Sequence, residues 1–153
     1  MAVYTPPETY SLLKYGYRVD RATATLPAST QAALFTISGG LVAITKIIGE
    51  VTTVIQTQAN NTKLVSNPTV GTDVDLCAVL NITADEVGTL YSISGTLATA
   101  LIGVNAGAVP TQTNEIVVPE GTIDLDCSAT NTGEIKWSLW YIPLDQGARV
   151  VAA

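Results

Sequence analysis

From residue 33 to residue 151 the chain alternates apolar and polar side chains, and turn residues recur every few positions. A period of two places successive side chains on opposite faces of an extended strand. The clearest case lies near the end. There Ile135, Trp137, Leu139 and Tyr141 share one face, and Lys136, Ser138 and Trp140 share the other. Strands of this kind, about eight in all and spaced by roughly ten residues, predict an all-β body. The expected fold is an antiparallel β-sandwich, jelly-roll-like, spanning residues 31–153.

Several elements can be placed in advance. Residues 33–38 read as a strand with Phe35 and Ile37 on one side, followed by a hairpin-type turn at Gly39-Gly40. In residues 41–56 the apolar positions change parity, from Ile44, Ile48 and Val54 to Val51 and Ile55. A bulge or bend near Gly49 would account for the change. Residues 62–66 predict a short strand ended by Asn67-Pro68, and the apolar run 74–82 a strand deep in a sheet. Residues 89–94 predict a further strand with Tyr91 and Ile93 on one face. Residues 96–102 suit a strand or a short helix, and 103–114 have no pattern and read as the longest loop. Pro119-Glu120-Gly121 separates two more strands, Asn131-Thr132-Gly133 reads as the next hairpin, and 149–152 as a last edge strand.

Residues 1–30 lack this pattern and read as an extended N-terminal arm. They hold Tyr4, Tyr10, Tyr15 and Tyr17, with Lys14, Arg18 and Arg21. Pro6-Pro7 and Pro27 frame the segment and favour extended backbone. A short helix over residues 10–15 is expected, capped by Thr9 and stopped by Gly16, with 21–30 as an extended linker. Tyrosine offers a large apolar body and a polar tip, which suits a partly wet contact. Tryptophan is prominent at interface hot spots, and Trp140 falls on the polar side of its strand. The partner-binding candidates are therefore Tyr4, Tyr10, Tyr15, Tyr17, Arg18, Arg21 and Trp140. For Trp140 the plain alternative is a strand buried on both sides.

Charge narrows the function further. Only 13% of the 153 residues are charged, against about 25% in a typical soluble domain. Much of so uncharged a surface is expected to be covered in an assembly. Residues 1–30 carry a net charge of +1 and residues 31–153 a net charge of −7. The body should repel nucleic acid, which needs clustered Lys and Arg. Histidine is absent, which removes the commonest general acid–base and metal ligand. No phosphate cradle or Cys-x-x-Cys pair occurs, so no catalytic residue, cofactor or metal is expected. Cys77 and Cys127 read as small buried hydrophobes, or as a disulfide if the fold brings them together.

Carboxylates do pair up, at Asp73/Asp75, Asp124/Asp126 and Asp85-Glu86. Such pairs can serve a glycosidase or a calcium ion. Solvated positions on an antiparallel sheet explain them without either. A faint echo links the first two pairs, since Gly71-Thr72 precedes Val74-Asp75-Leu76-Cys77 as Gly121-Thr122 precedes Ile123-Asp124-Leu125-Asp126-Cys127. Equivalent strands in the two sheets would give this echo, and so would chance. The N-terminus has neither the basic start nor the apolar core of a signal peptide, so the two Asn-x-Thr sequons carry little weight. The uncharged stretch 88–114 is too rich in Gly, Ser and Thr for a membrane span. Synthesis in a cytoplasm is expected, with no membrane partner.

The stretches AALFTISGG, IGEVTTVI and ANNTKLVSNPTVGTDVDLCAVLNI, with VPEGTIDLDCSATNTGEIKWSLWYIPLD, resemble a type of protein encoded among the virion structural genes of tailed bacteriophages. The nearest functional class is the capsid decoration or cement proteins. That resemblance implies a non-enzymatic β-rich virion component on the capsid exterior, commonly a homotrimer. It implies a terminal arm that clamps neighbouring subunits of the major capsid protein. The alternative expectation is a virion-surface or tail-associated module that recognises a host receptor or glycan, with the loop 103–114 as carrier.

Overall fold

A computed structural model describes residues 6–153. The described chain begins with helix α1 (Pro7–Tyr15) and strand β1 (Tyr17–Thr25), then β2 (Gln31–Ser38), β3 (Val42–Thr53) and β4 (Asn61–Pro68). Short strands follow: β5 (Val74–Asp75), β6 (Leu80–Asn81), β7 (Leu90–Ser92), β8 (Ile102–Gly103) and β9 (Ile116–Val118). The chain closes with β10 (Gly121–Cys127), β11 (Glu134–Pro143) and β12 (Arg149–Ala152). These strands form two antiparallel sheets packed face to face, an all-β sandwich. The front sheet runs β1-β11-β3-β7-β8, with β9 also on β3. The back sheet runs β12-β2-β10-β4-β5, with β6 also on β4.

Strand period decides what lies between the sheets. Ile135, Trp137, Leu139 and Tyr141 of β11 are buried, as their alternation predicts. They meet Phe35, Ile37, Leu64, Ile123 and Leu125 of the back sheet in one hydrophobic core. Cys77 and Cys127 are buried in the same core and are not bonded to each other.

Several expectations need correction. The parity change in β3 comes from two bulges, at Thr45 and Thr52, rather than from a bend at Gly49. The bulge at Thr45 moves the core-facing register from Val42 and Ile44 to Ile47, Gly49 and Val51. Ile48 is left half-buried and Val54 exposed. The Gly39-Gly40 and Asn131-Thr132-Gly133 turns are not hairpins. Each carries the chain from the back sheet to the front sheet. The apolar run 74–82 is not one deep strand. Leu76, Cys77 and Ile82 turn inward, whereas Val74 and Val79 stay about half exposed. Residues 96–102 form no helix.

The N-terminal segment also differs from a free arm. Helix α1 starts at Pro7, where a missing N–H costs nothing, rather than after a Thr9 cap. It stops at Gly16, as expected, whose φ of 85° reverses the chain and whose amide donates to the Leu12 carbonyl at 2.9 Å. Residues 17–25 then form β1, an edge strand paired with β11 from Tyr17↔Tyr141 to Thr25↔Glu134. The reading of 21–30 as linker therefore fails over its first half. Tyr17 and Val19 alternate with Arg18 and Asp20, and the unpaired edge of β11 supplies the backbone partners that a lone extended segment lacks.

Candidate docking surface

The outer face of the front sheet carries Arg18, Lys46 and Lys136, with Asp20 and Glu50 among them, around the partly exposed ring of Trp140. The pleat of β11 that buries Trp137 and Leu139 sends Lys136, Ser138 and Trp140 outward. Register places Arg18 of β1 beside Trp140 on one side and Lys46 of β3 beside it on the other. The Arg18 guanidinium lies 5.0 Å from the Trp140 ring centre and the Lys46 ammonium 4.9 Å from it. Lys46 also sits 3.8 Å from the ring centre of Tyr15, at the end of α1. Tyr15, Lys46, Trp140 and Arg18 thus form a row in which rings and cations alternate. Each ring offers a negative face to the cation beside it.

The helix is held against this row by the bulge in β3. Bulging turns the Thr45 hydroxyl out of the ladder, and it donates to the Tyr15 carbonyl at 2.6 Å. Gly16 permits the tight approach, because a side chain there would run into the Tyr141 carbonyl. Beyond that anchor α1 stands clear of the sheet. None of its residues is buried, and Tyr10, Leu12 and Leu13 are exposed. A groove of about 550 Å³ lies between helix and sheet, lined by Pro7, Ser11, Leu12, Tyr17, Arg18 and Trp140 among others.

Local electrostatics keep the face charged. Arg18 bonds Asp20 at 2.7 Å, and the Ser138 hydroxyl donates to the same carboxylate at 2.6 Å. The Ser138 bond, opposed by partial burial and helped by Arg18, holds the Asp20 carboxyl below its ordinary value. Lys136 pairs with Glu50 at 3.1 Å. Lys14 and Lys46 have no carboxylate partner among the described residues. The back sheet is the reverse. Its outer face carries Asp73, Asp75, Asp124 and Asp126 with Lys63 among them.

The sequence candidates separate on this scaffold. Tyr15, Arg18 and Trp140 come together in the row, and Tyr10 is exposed on α1. Trp140 is partly covered by its cations, on a strand whose outer face also exposes Lys136, so β11 is not buried on both sides. Tyr17 turns to the inner side, at the sheet edge, where its ring packs 5.8 Å from that of Tyr141. Arg21 also turns inward. Its Nε is buried without a hydrogen-bond partner beside a groove of about 220 Å³ lined by Leu26, Leu34, Ile135 and Trp137 among others. Tyr4 lies outside the described residues. Lys46, the centre of the row, escaped the sequence reading. Its signal was available, since it is the sole charge between Arg21 and Glu50.

The paired acids are not uniform either. Asp73, Asp75 and Glu86 are exposed and Asp126 is half-buried, as solvated positions should be. Asp85 and Asp124 are buried, at 7% and 4% exposure. No helix among the described residues is long and apolar enough to cross a membrane. No protein-family model, curated protein or solved structure matches the chain.

Proposed function

We propose that this chain is a non-enzymatic capsid decoration, or cement, protein of a tailed bacteriophage. In this reading it binds the assembled shell from outside and clamps neighbouring subunits of the major capsid protein. The observation that carries the docking part is the alternating row of Tyr15, Lys46, Trp140 and Arg18 beside an uncovered helix. Aromatic and arginine side chains are the residue types that most often anchor protein interfaces. A helix of nine residues with no buried side chain is marginal on its own. Covering Tyr10, Leu12 and Leu13 with a partner surface would stabilise it.

Charge suggests the orientation. The front face balances Arg18 and Lys136 with Asp20 and Glu50 and leaves Lys14 and Lys46 without a carboxylate partner among the described residues, on a protein whose net charge is −6. An acidic surface patch on the capsid subunit complements it, and the acidic back sheet would face solvent. Self-association as a homotrimer follows from the same class of protein. Three docking faces on one rigid body would bind far more tightly than one. Binding confined to the assembled shell would shift the shell toward the intact state.

The test is the mass of the purified protein by light scattering, followed by co-sedimentation with undecorated capsids of the phage that encodes it. A trimer that pellets with capsids is expected. A monomer that remains in the supernatant would redirect attention to receptor or glycan binding.

A further inference from the structure

The inner face of β1 carries a charge where the strand pattern calls for an apolar residue. Tyr17 pairs with Tyr141, Val19 with Leu139 and Arg21 with Trp137. Each partner on β11 is buried, and paired residues of an antiparallel ladder share one face. All three β1 side chains therefore start toward the space between the sheets. A bulge follows Arg21, and Ala24 then pairs with the buried Ile135. The extra residue keeps Ala24 on the same inner face as Arg21.

Two alanines leave a gap there. Ala24 stands opposite Ile135, and in the back sheet Ala32 stands opposite the buried Leu125. Both positions face inward, and neither side chain is large enough to close this edge of the sandwich. Ala32 is consequently exposed and Ala24 half-buried. The groove between them measures about 220 Å³, and Leu26, Trp137 and Arg21 line it as well. Arg21 is the sole charged residue of that lining. It takes part in none of the salt bridges among the described residues, and its Nε is buried without a hydrogen bond. An arginine that merely covered a sheet edge would keep its whole head in water. A donor of a charged group withdrawn from water is costly to leave unmatched.

We infer that this groove binds a small apolar monocarboxylate, with the carboxylate on Arg21 and the hydrocarbon body between the two sheets. A guanidinium holds its N–H donors in a planar fork that matches the two oxygens of a carboxylate. No acidic side chain lines the groove to compete for it. The walls of Leu26, Leu125 and Ile135 offer no partner to a polar body, so a sugar or a second charge is excluded. An apolar cavity of about 150 Å³ holds a benzene ring, so this groove suits a body of about five to seven carbons. A ligand of that size belongs in the range of roughly 0.1–1 mM. The docking row lies on the opposite face of the same sheet, and this inference does not depend on the capsid reading.

The experiment is thermal unfolding of the full chain in about 10 mM sodium hexanoate, against hexanamide and sodium acetate at the same concentration and ionic strength, with titration calorimetry alongside. Hexanoate should raise Tm by about 3 °C or more. Hexanamide, which lacks the charge, should bind at least about tenfold more weakly, and acetate, which lacks the body, should have no effect. Arg21→Met keeps an apolar stem and should bind hexanoate no better than hexanamide. Ala32→Leu fills the groove with Arg21 left in place and should abolish hexanoate binding, the Tm without ligand reporting that the fold is kept. The inference is overturned if hexanoate does no more than acetate, or if Arg21→Met retains the preference for hexanoate over hexanamide. Undiminished binding by Ala32→Leu would place the ligand outside the groove and overturn it equally.

Discussion

Gly49 faces Trp137 across the pairing of β3 with β11, and the indole fills the space that a side chain at position 49 would need. Tyr91 faces Gly49 from the other side, on β7. The two rings stack over the glycine with centres 6.3 Å apart and planes 24° from parallel. The centre of the front sheet is therefore built around a missing side chain.

Replacing glycine by alanine in a compatible backbone usually stabilises a protein by about 0.4–1 kcal/mol. Here a Cβ would come within 2.7 Å of the Trp137 ring. Gly49→Ala should instead cost about 1–3 kcal/mol, the usual penalty of overpacking. A urea unfolding midpoint equal to or above that of the wild type would show that the rings can move aside.

Below these rings the Tyr91 hydroxyl donates to Asp85 at 2.5 Å, and both residues are buried. Burial pushes the Asp85 carboxyl above its ordinary value, with the Tyr91 bond pulling against it. The folded state then holds this proton to higher pH than the unfolded chain does. Its stabilising effect is complete below the unfolded value near 4 and is lost as pH rises through the folded value. Asp85→Asn removes that loss. The unfolding free energy of the variant relative to the wild type should improve between pH 4 and pH 7. A pH-independent difference would contradict the burial argument. Tyr91→Phe takes away the donor and should cost about 1–3 kcal/mol at neutral pH.

The two thiols should be inert in the native state. Burial, the largest influence, pushes the Cys77 thiol up to about 11 and raises that of Cys127. The thiolate is the species that reacts. Iodoacetamide at pH 8 should therefore label neither cysteine in the folded protein and both in urea. Rapid native labelling of Cys77 would mean that the core opens locally near β5.

The helix and the strand that follows it should differ sharply on deletion. Removing residues 1–15 takes away no buried side chain of α1 and should change stability by no more than about 1 kcal/mol. Removing residues 1–28 also strips β1 from β11 and takes Leu26 out of the core. The longer deletion should lower the unfolding midpoint well below the shorter one. Equal midpoints would show that β1 contributes little to the sheet.

What could be read in advance follows a physical pattern. The alternation at 135–141 was legible because a half-buried strand must alternate whatever its neighbours are. The termination at Gly16 was legible because the turn demands a residue tolerant of positive φ. The strand β1 was not, because an edge strand buries only part of one face, and Arg21 interrupts the apolar side of Tyr17 and Val19. The turns at Gly39-Gly40 and Asn131-Gly133 show the limit of local chemistry. Glycine marks where the chain reverses but not which sheet receives the next strand. The docking row stayed half hidden for a related reason. Trp140 and Arg18 stand out by residue type, but Lys46 acquires its place only when the Thr45 bulge resets the register of β3. The two echoing segments lie in the same sheet on either side of β4, rather than in opposite sheets, and no single segment encodes that strand order.

The central claim is that the row on the front sheet is the docking surface, and Trp140 tests it most directly. Its ring contacts two cations, each such contact contributing roughly 0.5–1 kcal/mol at an exposed site, so Trp140→Ala should lower stability only modestly. In co-sedimentation with undecorated capsids, Trp140→Ala and Lys46→Gln should each reduce binding more than tenfold while the thermal unfolding midpoint falls by no more than a few degrees. Full capsid occupancy by a folded Trp140→Ala protein would contradict the account.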